Sequence, residues 1–395
     1  MKVLLVQIKV SSFRPKTLWE AKPHTCAKIA IVSGYIRPWF EILGRAENIT
    51  RLVYIDGFAG PGEYSNAPIG SPVAVLNEAK NALLDPDSPL RNKELVFHFI
   101  EKEDWIVDHL QAKLSSSRFQ PQIKCRIHHG KFEDKIGGIL AEVRQGARGP
   151  VPIFCFIDPF GATGVPFEAV RKILASETCE VLLNLDSDGI GRLMKADEIQ
   201  KNAEHLNQIF GDTDWRSEIG QDLSIQPLCA TVLAAYKRRL RALKNVRYVF
   251  SFAMNDKPGK LNYHLVFAGQ HSKGLEKMKE AMKRIDQTGD YSFADDSVDQ
   301  EFLGFNFNDP RIFAEKMHKD FFGRTLSCSE VFDYVLNETP FINLSQLLKS
   351  LAAADQIEVK WIGQPSKLGF PKDKIEAISF KPKGPPTSGN LTFGF

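Results

Sequence analysis

The chain does not gather its cysteines. Six occur in 395 residues (Cys26, Cys125, Cys155, Cys179, Cys229 and Cys328), and no two lie within three positions of each other. Zinc and iron–sulfur ligand spacings are therefore absent, and buried reduced thiols are the simpler reading. No charge of one sign dominates. With 51 basic and 48 acidic residues the net charge is +3, which neither demands nor excludes a nucleic-acid partner, since a local patch suffices. The apolar run that opens the chain, Met1 to Gln7, is too short for a leader or a membrane span, so a cytoplasmic location is expected. No Ser–His–Asp order, metal constellation or internal repeat is recognisable. A hydrophobic fraction of 43% and a charged fraction of 25% are those of an ordinary soluble globular protein. The length predicts two domains.

Against these absences one segment stands out: Tyr54-Ile55-Asp56-Gly57-Phe58-Ala59-Gly60-Pro61-Gly62. It continues an apolar run from Leu52 that reads as a buried strand. An acid at the strand end, then Phe-Ala-Gly-x-Gly, suits a ligand with a charged amino-acid tail and a nucleoside. Gly60 and Gly62 allow a sharp turn and close backbone approach. The dinucleotide fingerprint is Gly-x-Gly-x-x-Gly, whereas this loop is Gly57-x-x-Gly60-x-Gly62. The spacing looks like the first motif of S-adenosylmethionine (SAM)-dependent methyltransferases and argues against an NAD-linked oxidoreductase. A glycine turn in some other α/β fold is the plain alternative.

Other acids fall at strand ends too. Leu95 to Ile100 ends in Glu101, placed to accept both ribose hydroxyls, as in nucleotide-binding α/β sheets. Its distance from Asp56 exceeds the roughly 20 residues of a compact unit because of an inserted loop, Glu63 to Gly70. Ser71-Pro72 then has the chemistry of a helix start, with Ser71 as N-cap. That helix N-terminus could face a carboxylate. Further strands are expected at Ile123–Ile127, Val151–Ile157 and 180–185, the second ending in Asp158-Pro159-Phe160-Gly161. Strands alternating with helices predict a parallel sheet with helices on both faces. Asp56, Glu101, Phe132 and Asp158 would all lie at its strand C-termini, where ligands bind.

Several blocks together resemble the three-Cys-motif partner proteins. They are Lys22-Pro23-His24-Thr25 with Lys28, Tyr54 to Tyr64, Gly70-Ser71-Pro72 and Phe99-Ile100-Glu101-Lys102. Phe156 to Gly161, Leu182-Leu183-Asn184-Leu185, and Phe210-Gly211-Asp212 with Trp215-Arg216 complete the set. The resemblance is clear from Lys22 to Trp215. It implies a Rossmann-like class I SAM-dependent methyltransferase sheet closed by an antiparallel hairpin. It also implies a partner of radical-SAM type, whose three-cysteine motif does not belong to this chain. A nucleic-acid substrate is expected beside it. The alternative is a non-catalytic SAM-binding scaffold that docks the radical-SAM-type partner and recruits its substrate.

The expected organisation is a lead-in and helix over 1–44, the Rossmann domain over 45–289, a connector over 290–322, a winged-helix-like module over 323–383 and a tail over 384–395. The first helix should start at Thr25 and be disturbed by Pro38. A long helix is expected over Leu228–Leu243, strands over Val246–Phe252 and Tyr263–Ala268, and an amphipathic helix over Gly274–Ile285. In the C-terminal module, Ser327 or Ser329 could cap one helix and Asn343 a second. Ile357–Ile362 and Ile375–Phe380 read as strands around a basic loop. Lys360, Lys367, Lys372 and Lys374 would then contact a nucleic-acid backbone. A solvated loop on a protein-binding module accounts for them equally simply.

Within the expected cofactor site, Asp56, Gly57, Phe58, Ala59, Gly60, Gly62, Ser71 and Glu101 hold the ligand, and Phe132 packs on adenine. Lys131 stands where related sequences place an acid for the adenine amino group. Asp158, Pro159 and Phe160 form the candidate catalytic motif. It is similar to the Asp-Pro-Pro-aromatic of enzymes that methylate an exocyclic amino group. A carboxylate and a turned carbonyl accept from that group while the ring stacks on the base, so catalysis is orientation and electrostatics. Here the aromatic comes one place early. An Asp-Pro turn ending a strand is the structural alternative. His24, Thr25 and Lys28 could roof the cofactor. His128 and His129 alternate on a strand, so at most one faces the site.

Overall fold

The structure is a computed structural model that describes residues 17–67, 69–147, 149–159, 164–176, 178–195, 199–218, 225–257, 260–286, 292–294, 309–366 and 369–381. Helix α1 (Pro23–Gly44) leads into β1 (Arg51–Asp56), α2 (Ser71–Leu84), β2 (Glu94–Glu101), α3 (Asp104–Ser115), β3 (Ile123–His129) and α4 (Phe132–Arg144). Next come β4 (Ile153–Ile157), α5 (Phe167–Ile173), β5 (Cys179–Leu185), α6 (Ser187–Lys195), α7 (Ile199–Phe210), α8 (Trp215–Glu218) and α9 (Ile225–Arg241). The hairpin β6 (Tyr248–Lys257) and β7 (Lys260–Gly269), helix α10 (Ser272–Lys283) and the short β8 (Ser292–Ala294) complete the larger part.

The strands form one sheet in the order β3-β2-β1-β4-β5-β7-β6-β8. Five are parallel, and β7 runs antiparallel to both β5 and β6. This is a Rossmann-like α/β sheet, doubly wound and closed by the expected hairpin. Strands covered on both faces should be apolar throughout rather than alternating. Leu52 to Asp56 are accordingly all buried. Alternate residues serve different layers. Leu52 and Tyr54 pack with α1, α2 and α10, while Val53 and Ile55 pack with α4 and α5.

Two expectations about α1 and α2 need correction. Pro38 lies inside α1 without ending it. An internal proline costs about 3 kcal/mol, but burial of Tyr35, Ile36, Trp39 and Phe40 on either side holds the helix through it. Ser71 is not an N-cap. Gly70 takes that position, and the Ser71 hydroxyl points back to Asp56.

The segment expected as a plain connector carries β8 and the helix α11 (Pro310–Asp320). The C-terminal module continues with β9 (Thr325–Ser327), α12 (Cys328–Glu338), α13 (Ser345–Ala353), β10 (Ile357–Trp361) and β11 (Ile375–Phe380). Its small sheet has the order β10-β11-β9, all antiparallel. Ser327 caps α12 in a full capping box with Glu330. Asn343 is not the cap expected for α13: Leu344 takes that position, and Asn343 accepts from the Ser345 amide one place earlier. The module is not separate from the larger sheet. One hydrophobic cluster runs from α1 through α10 into Val331, Leu347 and Ile378. Lys279 of α10 is fully buried and donates to the carbonyls of Thr339 (2.7 Å) and Phe341 (3.1 Å). Asp333 of α12 accepts from Arg247 and from the Tyr248 hydroxyl at 2.5 Å. These contacts fix the module at the start of β6, which is the end of the sheet away from the glycine loop.

Candidate active site

The strand order reverses between β1 and β4, and the loops leaving them go to opposite faces. Ligands on open α/β sheets sit at such a switch point. The glycine loop after β1 is tied down on both sides. The Gly57 amide donates to Phe156 O (2.9 Å) and the Ala59 amide to Ile100 O (3.0 Å). Gly60 and Gly62 take φ of 62° and 79°, the left-handed region that favours glycine.

Asp56 is fully buried beneath this loop. Burial pushes its carboxyl up to about 7, although donors oppose the shift. They are Ser71 Oγ (2.7 Å), the Phe58 amide (3.2 Å) and the Tyr54 hydroxyl (3.4 Å). Asp56 therefore organises the site from below. It is Ser71, held by Asp56, that faces the cleft above.

Glu101 plays a matching part at the end of β2. Its Oε2 accepts from the Gly60 amide (3.1 Å), and Oε1 from the amides of Lys102 (2.8 Å) and Glu103 (3.1 Å). A cavity of about 270 Å³ is lined by Phe58, Ala59, Gly60, Ser71 and Asp158, with His24, Thr25 and Lys28 from α1 along its roof. A neighbouring cavity of about 480 Å³ is lined by Glu101, Lys102, Trp105 and Ile106. Trp19 borders both cavities and packs edge-on against Trp105 at 6.0 Å.

At the end of β4, Asp158 is held on both oxygens. Lys28 Nζ donates to Oδ1 (2.7 Å) and Oδ2 (2.6 Å), and Asn184 Nδ2 donates to Oδ1 (2.8 Å). Lys28 also lies 5.2 Å from the centre of the Tyr263 ring, a cation–π contact. His24 meets the same ring edge-on at 6.0 Å.

Not every expected residue joins this group. Phe132 is only 1% exposed, so it does not offer a ring face to a ligand. It packs on Phe58 at 5.7 Å and under Gly57, where any Cβ would lie 2.8 Å from its ring. Its role is to support the loop. Gly57, Gly62 and Pro159 lie outside the lining of the 270 Å³ cavity. Phe160 and Lys367 fall outside the described residues. His128 pairs with His98 (2.8 Å), whereas His129 turns to Asp104 (3.1 Å), so neighbouring histidines do diverge. Burial holds His98 down at about 3.

The basic loop is less free than its composition implies. Lys360 pairs with Glu376 at 2.6 Å, and Lys372 covers the Phe332 ring at 3.5 Å.

Sequence reasoning gave no role to Asn184, Trp19, Trp105 or Tyr263. Trp105 had a readable signal, an aromatic in the first turn of the helix after Glu101. The others come together only through the fold. Among the described residues, no group of three or more His, Cys, Asp or Glu is placed to hold a metal, and no helix is long and apolar enough to cross a membrane.

No protein-family model matches the chain, and no curated protein does. Solved structures give distant likenesses. Trm1 from Pyrococcus horikoshii in complex with S-adenosyl-L-methionine is 11% identical, covering 91% of this chain and 94% of that one, at a TM-score of 0.33. An O-methyltransferase from Bacillus cereus in complex with SAH is 12% identical, covering 60% of this chain and 80% of that one, at 0.32. A putative O-methyltransferase from Klebsiella pneumoniae is 9% identical, covering 64% and 91%, at 0.29. Likeness at that level leaves function to be argued from this chain's own geometry.

Proposed function

We propose that the protein is a SAM-dependent methyltransferase acting on a nucleic acid, with a base amino group as the acceptor. The observation that carries this reading is the meeting of Ser71, the Gly60 turn, Glu101 and Asp158 at one switch point. The chain's residues fit the cofactor. Nothing lies within 4 Å of the place a Gly60 side chain would take, so the loop leaves room for close approach. Ser71 suits the amino-acid tail. Glu101 retains acceptor capacity for ribose hydroxyls, because a carboxylate offers about four lone-pair sites. Trp19 and Trp105 supply aromatic walls beside Glu101.

When bound, the cofactor supplies an electrophilic methyl group. The chain's part is to orient the acceptor. Asp158 would accept a hydrogen bond from an amino N–H in competition with Lys28, and Phe58 would flank the base. Placement of this kind supplies much of a transfer enzyme's acceleration. The C-terminal order of helix, strand, helix, helix, strand, strand supports a winged-helix-like module. The radical-SAM-type partner rests on the resemblance alone.

One observation favours the second reading, a non-catalytic scaffold. Lys28 already donates to both oxygens of Asp158 and Asn184 to one, so an acceptor would have to compete with a nearly buried ammonium for this carboxylate. Two measurements separate the readings: S-adenosylhomocysteine affinity by calorimetry, and transfer of labelled methyl groups to bulk RNA and DNA. Asp158→Ala should abolish transfer and leave affinity within about threefold. Full transfer in that variant would make the motif structural. Binding without transfer in wild type would leave the scaffold.

A further inference from the structure

The end of the sheet opposite the glycine loop holds a third cavity, of about 440 Å³, between α1, the starts of β4 and β5, and the start of α10. Its volume falls within the range of small-molecule sites. Ile42, Leu43, Ile49 and Pro152 contribute apolar walls. Glu180 also lines it and is 6% exposed. Two aromatic donors converge on a single oxygen of this carboxyl. The Tyr35 hydroxyl (2.5 Å) and Trp39 Nε1 (2.8 Å) both reach Oε2. Among the described hydrogen bonds none ends on Oε1. Gly274, which lines the same cavity, lets Oε1 pack close to the α10 backbone: a Cβ there would sit 2.0 Å from it, so only glycine is tolerated beside the carboxyl. Because Glu180 lines the cavity, this second oxygen is left for a donor that enters there, water or ligand.

We propose that this cavity is a small-molecule site for a flat, mostly apolar ligand carrying an ammonium or N–H donor, with Glu180 Oε1 as its acceptor. The lip does not oppose a cation. Lys273 pairs with Glu276 (2.9 Å) and Lys277 with Glu280 (2.7 Å), so both ammoniums are compensated. Burial also pushes the Glu180 carboxyl up to about 7, and a donor on Oε1 would bring it back down. The site does not depend on the methyltransferase reading.

Tryptamine, an indole with an ammonium arm, is a direct probe. Indole-3-propionate has the same body and the opposite charge. Titration of each into the full chain, followed through the Trp39 indole N–H signal, tests the proposal. Tryptamine should saturate, and indole-3-propionate should bind about tenfold or more weakly, the value of a charge-assisted hydrogen bond. Glu180→Gln should lose about the same factor for tryptamine and leave S-adenosylhomocysteine affinity unchanged. Leu43→Trp would fill the mouth without touching Glu180 and should block tryptamine even if Glu180→Gln folds poorly. Absence of saturation, equal binding of the two probes, or full tryptamine binding in the Leu43→Trp protein would overturn the site. Loss of S-adenosylhomocysteine binding in wild type would overturn the proposed function and leave this site standing.

Discussion

Two buried carboxyls stand at opposite ends of the sheet, and burial lifts both to about 7. Their surroundings differ. Asp56 is held by a serine hydroxyl and a backbone amide under a glycine loop, small donors that leave open volume above them. Glu180 is held by a phenol and an indole, bulky donors from one helix that leave a crevice to the side. The first arrangement shapes backbone, because losing Asp56 frees the loop itself. The second shapes packing, because losing Glu180 frees two aromatic side chains but no turn. Equal burial and an equal shift therefore do not mean equal roles. What decides is which groups the carboxyl satisfies.

Alanine at each position should expose that difference most strongly. Glu180→Ala leaves the Tyr35 hydroxyl and Trp39 N–H unpaired, at about 1–3 kcal/mol each, so a loss of roughly 2–6 kcal/mol is expected. Asp56→Ala should cost a similar amount and also unfix Ser71 and the Phe58 turn. Thermal melts with and without S-adenosylhomocysteine check this, since a ligand stabilises only the state it binds. The ligand-induced rise should persist in Glu180→Ala and vanish in Asp56→Ala. A rise that survives in both would mean Asp56 does not organise the binding loop.

A smaller effect comes from protonation. Both carboxyls keep their proton when folded over a range in which the unfolded chain has released it. Their contribution is therefore most favourable below about pH 4 and is lost as pH rises toward 7. His98 acts in the opposite sense. It is buried neutral, and its contribution is lost as pH falls from about 6.5 toward 3. Comparing wild type with Glu180→Gln isolates one term. Between pH 4 and 8 wild type should lose on the order of 3 kcal/mol relative to the variant. Denaturant melts at several pH values measure that gap. A constant gap would show that Glu180 changes charge equally in both states.

The two ends also differ in how far the sequence disclosed them. The glycine-loop end was legible because its parts are local. Asp56 to Gly62 is contiguous, and the acids Glu101 and Asp158 each close an apolar run. Strands buried on both faces announce themselves in the same way. Helices α3 and α4 were legible but not read: their buried residues fall at helical spacing, Ile106, Leu110 and Leu114 in one and Phe132, Ile136, Ile139, Leu140 and Val143 in the other. Partnerships across the fold left no trace in the chain. Lys28 and Asp158 are 130 residues apart, and Tyr35 and Glu180 are 145 apart. Lys28 was expected over the cofactor and Glu180 at the head of a strand, but neither one's buried partner could be read from the chain. Phe132 shows the reverse error, a well-placed aromatic that the core claimed first.

The basic loop of the C-terminal module offers the mildest test, because it lies on neither end's chemistry. Each phosphate neutralised should add close to one unit to the slope of log affinity against log salt. The structure ranks the lysines. Lys374 has no ion pair among those described, so Lys374→Gln should remove most of a unit. Lys360 must first leave Glu376, so Lys360→Gln should remove less. Lys372 is committed to the Phe332 ring, and its substitution should act more on stability than on salt dependence. Glu376→Gln gives the sharpest check, since freeing Lys360 should steepen the slope rather than flatten it. Salt titrations with a single-stranded and a duplex oligonucleotide would measure all four variants. An unchanged slope in every one, with S-adenosylhomocysteine affinity intact, would remove this loop from nucleic-acid contact. The module would then be left with gripping a protein partner, testable by co-purification in the same variants.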